Sequence, residues 1–266
     1  MDTWKITQTP KKLPKLKNPI MIEGLPGIGN VGKVAVDFMI EELKAEKLYD
    51  VFSYTFPHSV FVNENNLVEL PTIEVHYKKM PKGNDLIIVS GDVQPIDEIS
   101  SYKFSDKMLD LLEQYKGKQV ITLGGIGLSQ IPKKPKVYCT GNNKKYIQNF
   151  KKETKLNTEL YGIVGPIVGV SGLLLGLAEK RKIEALALLA ETYGHPMYLG
   201  IKGAREILTI LNKKLNLKLN IQRLDKEIKT IETEVMKKTG EFTNVSKQTA
   251  LNKIKDKFGK DVAYIG

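Results

Sequence analysis

Short apolar runs that end in glycine and hand over to helical periodicity recur along this chain, and that repeated hand-over most limits what it can fold into. Pro19-Ile-Met-Ile-Glu23 reads as a buried strand running into Gly24-Leu-Pro-Gly27. Behind it Val31, Val34, Ala35, Phe38, Met39 and Leu43 recur at helical spacing. Asp85-Leu-Ile-Ile-Val-Ser90 is a continuous apolar run closed by Gly91-Asp92, the pattern of a central parallel strand, and a helix is expected from about Ser105 to Tyr115. Gln119 to Leu123 repeats the strand pattern and ends in Gly124-Gly125-Ile126-Gly127. Strands alternating with helices predict an α/β fold, a mostly parallel sheet with helices on both faces.

Other segments fill in this frame. Val51 to Phe56 reads as a strand, and Val60 to Val62 with Leu67 to Tyr77 as an antiparallel hairpin and its long return strand, turned at residues 63–66. Lys136 to Thr140, Leu160 to Val164 and Ile183 to Ala190 are further strand candidates, the last ambiguous with helix because Ala and Leu dominate it. Helices are expected at about Gly172 to Lys180 and Pro196 to Leu215. The uncharged stretch from Tyr161 to Ala178 reaches membrane-spanning length, but five glycines and Pro166 read better as strand, turn and helix start. No membrane partner is expected.

At 266 residues the chain suits one α/β body with an appendage, divided as a basic leader (1–17), the body (18–215), a coiled-coil-like helix (216–238) and a basic helix with a tail (239–266). Leu217, Ile221, Leu224, Ile228, Ile231 and Val235 alternate steps of four and three. That is the seam of a coiled coil, expected to be an exposed arm that pairs with a second subunit rather than a helix folded back on the body.

The net charge of +11 invites a nucleic-acid reading, but its distribution argues against one. Five Lys against Asp2 in residues 1–17, and twelve Lys plus Arg223 against six acids in residues 213–260, account for all of it. The body is neutral and offers only Arg181 and Arg205, too little for a phosphate-binding groove, so no nucleic-acid partner is expected. One cysteine, Cys139, allows no internal disulfide and no thiolate zinc site, which fits a reducing cytoplasm. His58, His76 and His195 lack metal-ligand spacing, so no metal is expected.

Candidate chemistry is sparse. Gly27-Ile-Gly29-Asn-Val-Gly32 follows a strand and opens a helix, as a dinucleotide fingerprint does. It lacks the ribose-binding acid at the end of the second strand and is followed by no Walker Lys-Ser/Thr pair. A glycine turn needed for tight strand-to-helix packing satisfies the same residues, and no cofactor is expected. Glu191 and His195 are the one acid and histidine close in sequence, with a Gly-Pro-punctuated strand exit as the plainer account. There is no Gly-x-Ser-x-Gly elbow, and Ser171 stands where a helix cap explains it. No catalytic residues are assigned.

Four stretches read together resemble the archaeal proteasome assembly chaperone 2 family, some of whose members are catalogued as ATP-grasp-like. They are residues 24–32, the hairpin from Val60 through Leu70-Pro71, Leu123-Gly-Gly-Ile-Gly127, and Gly162-Ile-Val-Gly165 with Ser171 to Ala178 and Glu191-Thr-Tyr-Gly194. The resemblance implies a nucleoside-phosphorylase-like fold without that activity, self-association as a homo-oligomer, and proteasome α subunits or related assembly factors as partners. It also implies a hydrophobic-Tyr-any-residue tail that docks between α subunits. Ala263-Tyr264-Ile265-Gly266 departs from that tail, because Tyr264 stands third from the end and the carboxylate lies about 3.3 Å farther out. The alternative is a small-molecule or nucleotide-binding enzyme that uses Gly27, Gly29, Gly32, Gly124, Gly125 and Gly127.

Overall fold

The structure, a computed structural model, describes residues 4–160, 165–196, 198–226 and 228. Nine strands form one sheet: β1 (Trp4–Gln8), β2 (Ile20–Glu23), β3 (Glu46–Ser53), β6 (Ile73–Lys78), β7 (Leu86–Gly91), β8 (Gln119–Leu128), β9 (Val137–Gly141), β10 (Leu156–Asn157) and β11 (Glu184–Tyr193). Between β3 and β6 a two-stranded ribbon stands apart, made of β4 (Phe61–Val62) and β5 (Val68–Glu69). Helices are α1 (Val31–Leu43), α2 (Glu98–Gln114), α3 (Lys144–Lys151), α4 (Val170–Lys180) and α5 (Ile201–Leu215).

The sheet order is β1-β3-β6-β7-β2-β8-β11-β9-β10. Strands β7, β2, β8 and β11 pair in parallel at the centre. Each alternates its side chains between two cores, which is why the runs read as continuously apolar. Ile20, Ile22, Ile88 and Ile121 join α1, α3 and α5 in one core, while Met21, Ile87, Val89 and Val120 join α2 and α4 in the other. The α/β sheet covered on both faces is therefore the observed architecture, with antiparallel pairing added at both flanks.

Several elements differ from the sequence expectation. The basic leader contributes β1, an edge strand antiparallel to β3, anchored by buried Trp4 against Phe56 and Phe104. The expected long return strand is split, because Pro71 has no N–H to give a ladder between β5 and β6. Helix α2 starts earlier, where the Asp97 carboxylate accepts from the Ser100 N–H as an N-cap. The Asn143 side chain caps α3 in the same way, a helix that periodicity did not reveal. The ambiguous run at 183–190 is strand β11. Of the strand expected at 160–164, Leu160 carries no strand and the rest lies outside the described residues.

The coiled-coil seam needs the largest correction. Leu217 and Leu224 are buried in the α1/α5 core, Leu224 completely, and Ile221 and Ile228 pack against it. Residues 221–226 are helical, and the Arg223 guanidinium reaches Glu42 at 3.0 Å while Asp225 accepts from the Arg205 Nε at 2.6 Å. The four-three stripe begins in the non-helical residues 217–220 and enters its helix at 221, folded onto its own body, where α1 and α5 cover its apolar side chains without a second chain. Ile231 and Val235 lie outside the described residues.

Candidate interaction surface

The carboxyl ends of β2, β7, β8 and β11 point the same way, so the loops that leave them share one end of the molecule. Both glycine turns lie there and pack on each other. A Cβ on Gly32 would stand 2.2 Å from the Leu123 carbonyl oxygen, and one on Gly125 2.2 Å from that of Ile28. Gly29, at φ 61, has Thr192 against it, and its carbonyl accepts from the Gly200 N–H at 2.7 Å. Gly127 faces Gly194, whereas Gly124 meets only the Leu189 side chain and Gly27 faces open space. At Gly29, Gly32 and Gly125 the missing side chain thus lets the α1 entry lie against β8 and the α5 entry. Lys33 in the first turn of α1 is held by Asp37 at 2.9 Å, and Asp37 also accepts from Ser90. Burial pushes the Asp37 carboxyl upward against the pull of Lys33.

Glu23 closes β2 and is fully buried, accepting from the Leu25 N–H at 2.9 Å and the Ser171 hydroxyl at 2.8 Å. Burial pushes its carboxyl up to about 7, against the lowering effect of both hydrogen bonds. Ser171 therefore does not cap α4, whose N-cap is Gly169 without a side-chain bond; it ties α4 to the sheet. Gln94 does the same from another loop, donating to the Pro26 carbonyl and accepting from the Val170 N–H at 3.1 Å. Sequence reasoning passed over Glu23, although an acid closing an apolar strand was a visible signal. Of the acid and histidine close in sequence, Glu191 accepts from the Lys136 N–H and the Tyr138 hydroxyl, and the His195 ring stacks on Tyr193. Among the described residues no His, Cys, Asp and Glu cluster could hold a metal ion. No described helix is long and apolar enough to cross a membrane.

What this end offers instead is exposed apolar surface. Among the described residues, every exposed large apolar side chain except Ile6 and Leu13 belongs to the carboxyl-end loops, the β4–β5 ribbon or the start of α2. Val168 is 81% exposed, Tyr54 71%, Val68 68% and Ile99 67%. The ribbon is held from below, where Phe61 enters the α2/α4 core and Asp92 accepts from the Thr72 N–H at 3.2 Å. Such a concentration of outward apolar groups is the mark of a protein-contact surface.

The sequence matches the PAC2 family model over residues 21–239. The chain belongs to the PAC2 family. It is 30% identical to the protein MJ1210 of Methanocaldococcus jannaschii, over 98% of this chain and 97% of that one. Among solved structures it is similar to PbaB of Pyrococcus furiosus, an archaeal proteasome activator, at 34% identity and a TM-score of 0.81 across 91% of this chain and 100% of that one. It also shares its fold with Pyrococcus furiosus PbaA, an archaeal homolog of proteasome-assembly chaperone, at 23% identity and a TM-score of 0.73 over 97% and 98% of the two chains. This PAC2 chain carries the family fold through α5, and its last four residues, Ala263, Tyr264, Ile265 and Gly266, lie outside the described residues.

Proposed function

We propose that this PAC2 protein is a cytoplasmic, non-enzymatic assembly chaperone or adaptor of the proteasome, acting through a self-associating body and its C-terminal tail. The observation that carries this reading is the likeness to PbaB along 91% of the chain at 34% identity. Two features of the carboxyl end support it. Gly29, Gly32 and Gly125 in its turns are backed closely by Thr192, Leu123 and Ile28, and its loops present apolar side chains outward. In the tail, Tyr264 is the anchor, because a phenol ring buries a large area while its hydroxyl keeps a hydrogen bond.

Binding of full-length protein to purified proteasome α rings, measured beside a chain lacking residues 264–266, tests this. Full-length protein binds, and the truncated chain binds at least tenfold more weakly. Equal affinities remove the tail from the mechanism. Absence of binding by either chain, together with low-micromolar binding of ATP or NAD, replaces the proposal with a nucleotide-dependent enzyme built on Gly27 to Gly32.

A further inference from the structure

Charge is arranged unevenly along the exposed apolar end. On the β3 side, residues 54–72 and the first turn of α2 carry Glu64, Glu69, Asp97 and Glu98, with Lys103 a turn later and Lys5 beside Tyr54. On the β9 side, the segment joining β8 to β9 holds exposed Ile131 with Lys133, Lys134 and Lys136. From the sheet order and a strand spacing of about 4.8 Å, β3 and β9 on these two flanks stand about 30 Å apart. Exposed Ile28 and Val168 leave from loops between them.

We propose that this end is where copies of the chain join head to tail, the acidic ribbon flank of one protomer meeting the lysine segment of the next. The inference rests on the self-association in the proposed function and names its surface and its hand. Three observations carry it. The outward apolar side chains gather on the ribbon flank, where Tyr54, Val62, Val68 and Ile99 are each about two-thirds exposed or more, a concentration that marks a contact surface. The other candidate for joining subunits, the seam from Leu217 to Val235, has its first four positions packed on the body, and Ile231 and Val235 lie outside the described residues. Pairing ribbon on ribbon would bring the acids Glu64 and Glu69 of two copies together, whereas ribbon on lysine segment matches opposite charges in a heterologous, head-to-tail contact.

The experiment uses full-length protein and light scattering at low and high salt, with circular dichroism to confirm folding and α-ring binding measured on the same samples. Wild type gives a mass of several protomers. V62E/V68E lowers it to the monomer, and K133E/K134E and E64K/E69K each lower it at low salt. Mixing those two charge-reversed proteins restores a larger species, which neither forms alone. A wild-type oligomer whose mass no variant changes overturns the interface while leaving the chaperone reading intact. V62E/V68E that keeps its mass but loses α-ring binding also overturns it, showing that the surface serves a foreign partner. Monomeric wild type overturns both the interface and the self-association, and α-ring binding then decides the chaperone reading separately.

Discussion

The two ends of the central sheet are made from the same strands and differ in what they leave to solvent. At the amino end the helices return to the sheet through short turns at 44–45, 115–118 and 181–183, with Lys44, Lys116 and Lys182 in the left-handed region. The cleft there is polar, lined by Asn18, Asn84, Lys116, Lys118, Gln119 and Glu184, and Gln119 donates to Glu184 at 3.0 Å. At the carboxyl end the loops are longer, their bases are locked by glycine contacts and a buried acid, and their tips carry Val62, Val68, Ile99 and Val168 outward. Short turns leave little room beyond reversing the chain, whereas loops anchored by a rigid base are free to present side chains to a partner.

The comparison makes graded predictions. The largest effect is at the locked base: Gly32→Val must place carbon 2.2 Å from the Leu123 carbonyl oxygen and should lose at least about 4 kcal/mol in urea unfolding. Gly27→Ala, where a Cβ meets nothing within 4 Å, is the control and should lose less than about 1 kcal/mol. On the flank between the two ends, Leu224→Ala should cost about 3 kcal/mol with folding still cooperative, because the side chain is fully buried in the body. A change near zero would return Leu224 to an exposed arm.

Glu23 tests the carboxyl end through pH. Its folded pKa of about 7 lies above the ordinary 4.5, so its contribution is fully present below pH 4.5 and is lost as pH rises through 7. Glu23→Gln keeps an acceptor for Leu25 and carries no charge. It should flatten the fall in Tm between pH 5 and 8, removing up to about 3 kcal/mol of dependence, and stand above wild type at pH 8. A variant with the wild-type slope would show that Glu23 is not the titrating group. The smallest effect is at the amino end, where Arg181 meets Asp106 at 2.7 Å and Glu113 at 3.1 Å beside Asp110. Those acids are largely solvated, so Arg181→Ala should cost about 1 kcal/mol or less, and less again at high salt.

The alternation of apolar runs and glycine turns was enough to read the central parallel strands, α1 and the two-faced helical cover. Those signals are local, since a strand buried on both faces must be apolar throughout and a tight strand-to-helix turn must be glycine. The family was legible too, because residues 24–32, 123–127 and 171–178 keep their order and spacing. Tertiary structure alone decided three other matters. It gave the four-three stripe from Leu217 to Leu224 to the groove beside α1 and α5, since a narrow apolar stripe is the same sequence whether its cover is a partner or its own body. It buried Glu23 and set Ser171 on it across 148 residues of chain, a proximity that no spacing encodes. And it gathered Tyr54, Val62, Ile99 and Val168, each unremarked in its own segment, onto one end, because the direction of the strands, not the composition of the loops, determines which loops become neighbours.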